Sequence, residues 1–301
     1  IIMNKLKLFS TIVLFLSFCN YAYADDKDKA VSSAIDKVTS PIESAIENII
    51  SGEGDSEVSI SSGEDAKPTI SIMSVRPLSP HTDNSNLFVQ FQLNTRYIND
   101  NSRVSINAGI GKRILSDDKN SIRGLNAFLD YDEKGNARGS IGLEYRRAAF
   151  EALINAYFGL SNGQSVGSNT ERVLDGNEII IIGEVPYLPW ANLIYKHYEW
   201  DAIKNSKDSE GDKVSIEMAI TKNFIIEAGA DDNNLDGANN FIKASMVFPA
   251  RERVSANTNF IGETMFTSGD MSLEMLSKVR RTNTMIIETE GTGVVIARSS
   301  E

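Results

Sequence analysis

The chain is poor in the residues that carry most metal and covalent chemistry. Its 301 residues include one cysteine, Cys19, and two histidines, His81 and His197. Neither histidine has a partner at metal-ligand spacing, so neither a zinc site nor any other metal is expected, and no cofactor. A lone cysteine leaves no disulfide to staple an exported chain. No Walker loop is present. Gly109-Ile110-Gly111 is no dinucleotide loop, because the extended run continues through Lys112 and Arg113 without opening a helix. The apolar run Leu8–Phe18 is shorter than the ~20 residues of a spanning helix. Basic charge is also scarce: 30 Lys and Arg stand against 41 Asp and Glu, a net of −11, which argues against nucleic acid as a partner.

Two further motifs promise chemistry and are set aside. His197, Glu199 and Asp201 have the residue types of an acid/base site, but on a Tyr-rich strand end they read as a wet rim. DDNNLDG, residues 231–237, lacks the sixth-position glycine and closing glutamate of a calcium loop and reads as a turn. The chain is not expected to be an enzyme.

What is present is export and alternation. From Met3, the expected initiator, Lys5 and Lys7 precede the apolar run, and Ala22-Tyr23-Ala24 makes a small-x-small site before Asp25. Residues 1–24 therefore read as a secretory signal. Residues 25–56 read as a periplasmic helical segment. Val31, Ile35, Val38, Ile42, Ile46 and Ile49 form one stripe, and Ser40-Pro41-Ile42-Glu43 resembles a capping box.

From Glu57 to Phe248 the period becomes two. In RVSINAGIGKR, residues 103–113, Val104, Ile106, Ala108 and Ile110 point one way, while Arg103, Ser105, Asn107 and Arg113 point the other. The same pattern marks about twelve strands: 57–62, 68–76, 87–97, 102–113, 121–131, 137–147, 149–160, 177–187, 190–200, 212–222, 223–231 and 239–248. Most have the roughly 9–11 residues of a tilted membrane strand rather than the 5–6 typical of soluble sheets. Connections at Arg147-Ala148, Tyr187-Leu188-Pro189 and Lys222-Asn223 are tight, and those at 161–176, 201–211 and 232–238 are long and polar. That asymmetry belongs to outer-membrane barrels, with short turns in the periplasm and long loops outside. The link ILSDDKNS, residues 114–121, is longer than this rule favours. Tyr97, Tyr131, Tyr145, Tyr187, Trp190, Tyr198 and Trp200 lie near strand ends, where interfacial girdles form.

The fold class expected is thus all-β: a closed antiparallel transmembrane barrel of about twelve strands over 57–248, with a linker over 249–301. The polar face lines the lumen, with Arg103, Asn107, Arg138, Glu144, Arg146 and Glu217. The partners expected are outer-membrane lipid, periplasmic chaperones and the general barrel-assembly machinery.

Three blocks carry a family resemblance. The first, residues 124–163, has Asn126, Phe128, Asp130, Asp132, Gly135, Arg138, Gly142 and Glu144 in a strand, a D-x-D-like turn and a G-x-E strand. The second, residues 175–199, has an Asp-Gly strand, a Leu-Pro turn and a Tyr-rich return strand, and the third is MLSKVRRTNTMIIET, residues 275–289. In order over residues 29–290 they resemble the β-domain of inverse autotransporters, the intimin and invasin family. The resemblance implies a 12-stranded barrel whose C-terminal linker returns through the lumen and carries a passenger to the cell surface. It implies a short helix over 271–280 and a pore-threading run from Asn283, Thr284, Met285, Ile286, Ile287 and Glu288 to Glu290. Residues 25–56 hold no peptidoglycan-binding module and residues 291–301 no immunoglobulin-like passenger, so adhesion is not carried over. The function expected is a translocator barrel that holds or exports its C-terminal segment. The alternative is a passenger-less structural or pore-forming outer-membrane protein.

Overall fold

The computed structural model describes residues 53–64, 66–78, 84–98, 101–204, 207–250, 254–290 and 293–295. The signal sequence and the helical segment up to residue 52 lie outside the described residues, as does His81. Twelve strands close a barrel: β1 (Asp55–Gly63), β2 (Thr69–Pro77), β3 (Ser85–Ile98), β4 (Asn101–Leu115), β5 (Ser121–Asp132), β6 (Ala137–Arg147) and β7 (Phe150–Gly159). After two short strands, β8 (Gln164–Val166) and β9 (Asn169–Val173), come β10 (Gly176–Val185), β11 (Leu188–Trp200), β12 (Ser209–Ala219), β13 (Phe224–Asn233) and β14 (Gly237–Phe248). Each barrel strand pairs antiparallel with its neighbours in the chain, and β7 pairs with β10 across the intervening hairpin. The barrel closes between β1 and β14, from Ser56 opposite Phe248 to Gly63 opposite Phe241. No open edge is left in the barrel, so each of its twelve strands has a partner on each side.

Alternation decides what each face meets. On β4, Ile106 and Ile110 are exposed, whereas Arg103, Ser105, Asn107 and Arg113 are buried. The contrast is sharpest on β6, where Leu143 is 58% exposed and Arg138 0%. Register aligns these rows across strands: Leu143 sits between Leu125 and Ile154 outside, and Asn107, Asp130 and Arg138 sit side by side inside. A soluble protein would bury the leucines and wet the arginines. Here the order is inverted, as in a barrel with an apolar band toward lipid and a polar lumen.

Several expectations are revised. The first strand begins at Asp55, two positions before Glu57. The long link after β4 shortens to residues 116–120, because β4 runs on to Leu115. Tyr131, Tyr145 and Tyr187 face outward, but Tyr198 and Trp200 have inward parity and pack with Tyr157, Leu174 and Ile286. Trp190 lies against Phe260 and donates to its carbonyl at 2.9 Å. Those three aromatics are core, not girdle. The loop over 161–176, read as plain loop, contains the β8–β9 hairpin.

Candidate functional site

One rim of the barrel, the turn rim, carries the links at 116–120, 148–149, 186–187 and 220–223; the other, the loop rim, carries the β8–β9 hairpin and the loop at 201–208, and the chain after β14 travels from the first to the second. It starts along the turn rim. Ala256 N–H donates to Ala219 O at 2.8 Å, Gly262 N–H to Tyr187 O at 2.8 Å, and Met271 N–H to Lys119 O at 2.9 Å. A single 3-10 turn, Met271–Glu274, follows, capped by Asp270 accepting from Ser272 N–H. This is all of the helix expected over 271–280; from Met275 onward the described chain is extended or irregular. Met271 and Met275 drop into a pocket with Leu115 and Ile122, and the tail enters the lumen.

Inside, the wall binds the tail chiefly by its backbone. Arg113 donates to the carbonyls of Met275 at 3.0 Å and Ser277 at 2.6 Å, and Arg146 to that of Lys278 at 2.7 Å. Gln90 accepts from Val279 N–H at 2.8 Å, and Asn155 donates to Arg280 O at 3.1 Å. Arg138 spans Thr282 O at 2.6 Å and Thr284 O at 3.0 Å, Asn107 reaches Asn283 O at 2.9 Å, and Arg96 reaches Met285 O. An extended chain in a lumen has no helix of its own to satisfy these groups, so the wall must supply the donors.

Tail side chains add a second set of contacts. Lys278 Nζ meets Glu57 at 2.8 Å, Arg280 Nη2 meets Glu217 at 2.9 Å, and Arg281 Nη2 meets Asp130 at 2.6 Å. Thr282 donates through N–H and Oγ1 to the two oxygens of Glu178, at 2.9 and 2.7 Å. The wall arginines are themselves held: Arg113 and Arg146 share Glu144, and Arg138 shares Asp130 with Arg281. Two glycines make room here. A side chain at Gly109 or Gly111 would run into the rings of Phe128 and Phe88. Arg281 stacks over the first ring at 4.5 Å and Arg113 over the second at 4.4 Å.

At the loop rim the β8–β9 hairpin receives the tail. Ile287–Thr289, strand β15, pairs antiparallel with β9, and Gly293–Val295, strand β16, pairs with β15. The hairpin is fixed to the wall through Glu171, which takes both Arg103 Nη1 at 2.6 Å and Arg103 Nη2 at 2.8 Å. Glu288 accepts from the backbone N–H groups of Ile203 and Lys204 at 2.8 and 2.9 Å, tying in the β11–β12 loop.

The structure therefore brings together Arg103, Asn107, Arg138, Glu144, Arg146 and Glu217 on the buried inner wall. It places Asn283, Thr284, Met285 and Ile286 in the lumen and Ile287 and Glu288 at the loop rim. Sequence reasoning missed Glu57, Asp130 and Glu178 as acceptors and Lys278, Arg281 and Thr282 as their respective partners, and it missed Arg280 as the partner of Glu217. The usable signal was charge at inward parity in mid-strand. His197 and Glu199 point outward instead; His197 Nδ1 lies 3.0 Å from Asp212, which also accepts from Tyr195. The link after β13, read from the sequence as long, shortens to residues 234–236, a tight turn in which Asn233 Oδ1 accepts from Leu235 and Asp236 N–H.

No curated protein sequence is similar enough to count as a relative. A membrane protein solved in a study of in-meso crystallization superposes with a TM-score of 0.63 at 19% identity, covering 79% of this chain and 99% of its own, which shows the fold. The KdgM porin (TM-score 0.43, 8% identity, 64% and 98% covered) and the translocator domain of autotransporter NalP from Neisseria meningitidis (0.34, 8%, 73% and 97%) are more distant and carry no argument. The family model described as inverse autotransporter, beta-domain, matches residues 15–283. With a twelve-stranded barrel, an apolar outer band and that match, the chain belongs to the inverse autotransporter β-domain family and is a bacterial outer-membrane β-barrel.

Proposed function

We propose that this barrel is a translocator, which inserts in the outer membrane and carries its own C-terminal segment through the lumen to the cell surface. The observation that supports this is the path of residues 275–289, from the turn rim through the wall of donors to the hairpin at the loop rim. With turns in the periplasm and long loops outside, that path runs outward. A wall that reads backbone carbonyls suits a passing polypeptide, since every residue offers one. The reading needs no enzymatic step. Chaperones and the barrel-assembly machinery are the partners it requires, and lipid the solvent of the outer band. The test is an epitope tag appended after Glu301. Antibody should bind it on intact cells; binding only after the outer membrane is permeabilised overturns the reading.

A further inference from the structure

Two kinds of contact hold the tail, and they differ in what they can distinguish. Backbone carbonyls recur at every residue, so Arg113, Arg138 and Asn107 would be as well served by a chain displaced two residues along its axis. The three tail cations are not repeated in this way. Lys278, Arg280 and Arg281 reach Glu57 on β1, Glu217 on β12 and Asp130 on β5, three strands spread around the barrel. A two-residue slip in one direction puts Val279 at Asp130 and Lys278 at Glu217. A slip in the other puts Asn283 and Thr282 there. Either leaves a carboxylate that is shut away from solvent short of its tail cation, and breaking a buried pair in this way is strongly unfavourable. The apolar seats of Val279 and Ile286 also lose contacts, but apolar pockets discriminate between side chains far less sharply.

We infer that Lys278, Arg280 and Arg281 form a stop signal: the lumen passes backbone without preference and arrests it where these three cations meet Glu57, Glu217 and Asp130. This rests on the translocator reading. The rival device for setting register is the strand pairing of β15 with β9 at the exit. Inserting two residues between the two devices separates them.

The experiment places Ser-Gly between Thr284 and Met285 in the full chain carrying Cys19→Ser, with single reporters Ile287→Cys, Thr289→Cys or Glu290→Cys. A membrane-impermeant maleimide is then applied to intact cells. In the parent, Glu290 is exposed and Thr289 buried, so labelling should begin at position 290. If the cations stop the chain, the insertion pushes the exit outward. Thr289→Cys should then rise from background to the level of Glu290→Cys, with Ile287→Cys still silent. An unchanged boundary means that the exit sheet sets register and overturns the inference. Should that insertion prevent assembly, the same reporters are read in a chain carrying Lys278→Gln, Arg280→Gln and Arg281→Gln: labelling that spreads to Thr289→Cys and Ile287→Cys supports the inference, and a boundary that stays sharp at 290 overturns it. Failure of the translocator reading looks different, because the parent Glu290→Cys would label only in permeabilised cells, where the effect of the insertion can still be read.

Discussion

Arg281 in the tail and Asp130 on β5 meet through two bonds, 2.9 Å from Nη1 to Oδ1 and 2.6 Å from Nη2 to Oδ2. Both side chains are closed off from solvent. Arg138 binds the same carboxylate from the neighbouring strand, so one acid is the shared counter-ion of one wall cation and one tail cation. Such an arrangement costs little while complete and much when an ion is removed.

Asp130→Asn should therefore destabilise the folded protein by roughly 3–5 kcal/mol, the usual cost of leaving a buried charge uncompensated. The substitution leaves Arg138 and Arg281 facing each other without their shared counter-ion. The measurement is the urea midpoint of the outer-membrane barrel in detergent, followed by the loss of its heat-resistant compact form on gels. Adding Arg281→Gln should recover part of the loss, since it removes one of the two stranded cations. A single-variant cost below about 1 kcal/mol, the range of exposed pairs, would mean that water reaches the site.

The outer band makes a second prediction, graded by depth. Leu143 lies mid-strand between Leu125 and Ile154, and Leu160 lies just past the end of β7 at the loop rim; both are exposed. Leu143→Arg should cost about 2–4 kcal/mol and Leu160→Arg about 0–1, as the charge moves from the hydrocarbon midplane to the interface. Equal costs in lipid bilayers would mean that the band does not sit across the membrane.

Much of this architecture was legible in the residues. The alternation of Ile106 and Ile110 with Arg103 and Asn107 assigns faces before any pairing is known, because a strand can present only two. What alternation leaves undetermined is the partner across the lumen. Arg281 and Asp130 are 151 positions apart, and no local pattern links them. Local rules failed where tertiary context dominated. Trp200 and Tyr198 sit at a strand end like girdle residues, yet their parity turns them inward onto Ile286. The β8–β9 hairpin, polar and glycine-rich, lacks the apolar alternation that announces a strand; Glu171 and the returning tail hold it in place.

At the turn rim exposed acids shape both the 116–120 turn and the tail segment that docks on it, which should make this junction sensitive to pH. Asp118 accepts from Ser116 Oγ, Asn120 N–H and Asn120 Nδ2, and these hydrogen bonds hold its pKa below the ordinary carboxylate value. Asp270, accepting from Ser272 through Oγ and N–H, is lowered for the same reason. A carboxylate depressed in the folded state contributes stability that is complete above its unfolded pKa, about 3.9, and is lost as pH falls through the folded value. Amide exchange at Met271 and Ser272 should therefore be unchanged from pH 7 to pH 5 and accelerate below about pH 4 relative to the intrinsic rate. Asp270→Asn should show the faster exchange at pH 7 with a weaker acid dependence. Acceleration that begins near pH 6 would point to another group.

The tail also determines how much of the lumen is open. Residues 281–289 are all buried against the wall, and what remains beside the tail is a cavity of only about 80 Å³ lined by residues including Glu57, Lys196, Lys213 and Lys243. Deleting residues 271–301 removes the carbonyls that Arg113, Arg138 and Asn107 bind, and water must replace them. Hydration of these groups is favourable, and the twelve strands keep every ladder bond, so the truncated chain should still assemble and shift on heating. Its single-channel conductance in planar bilayers should rise well above that of the full chain. The full chain should in turn gain conductance when Asp130→Asn and Glu217→Gln together loosen the tail, giving frequent transient openings rather than one stable open level. Equal conductance of full and truncated chains, both assembled, would mean that residues 275–289 do not occupy the lumen in the membrane.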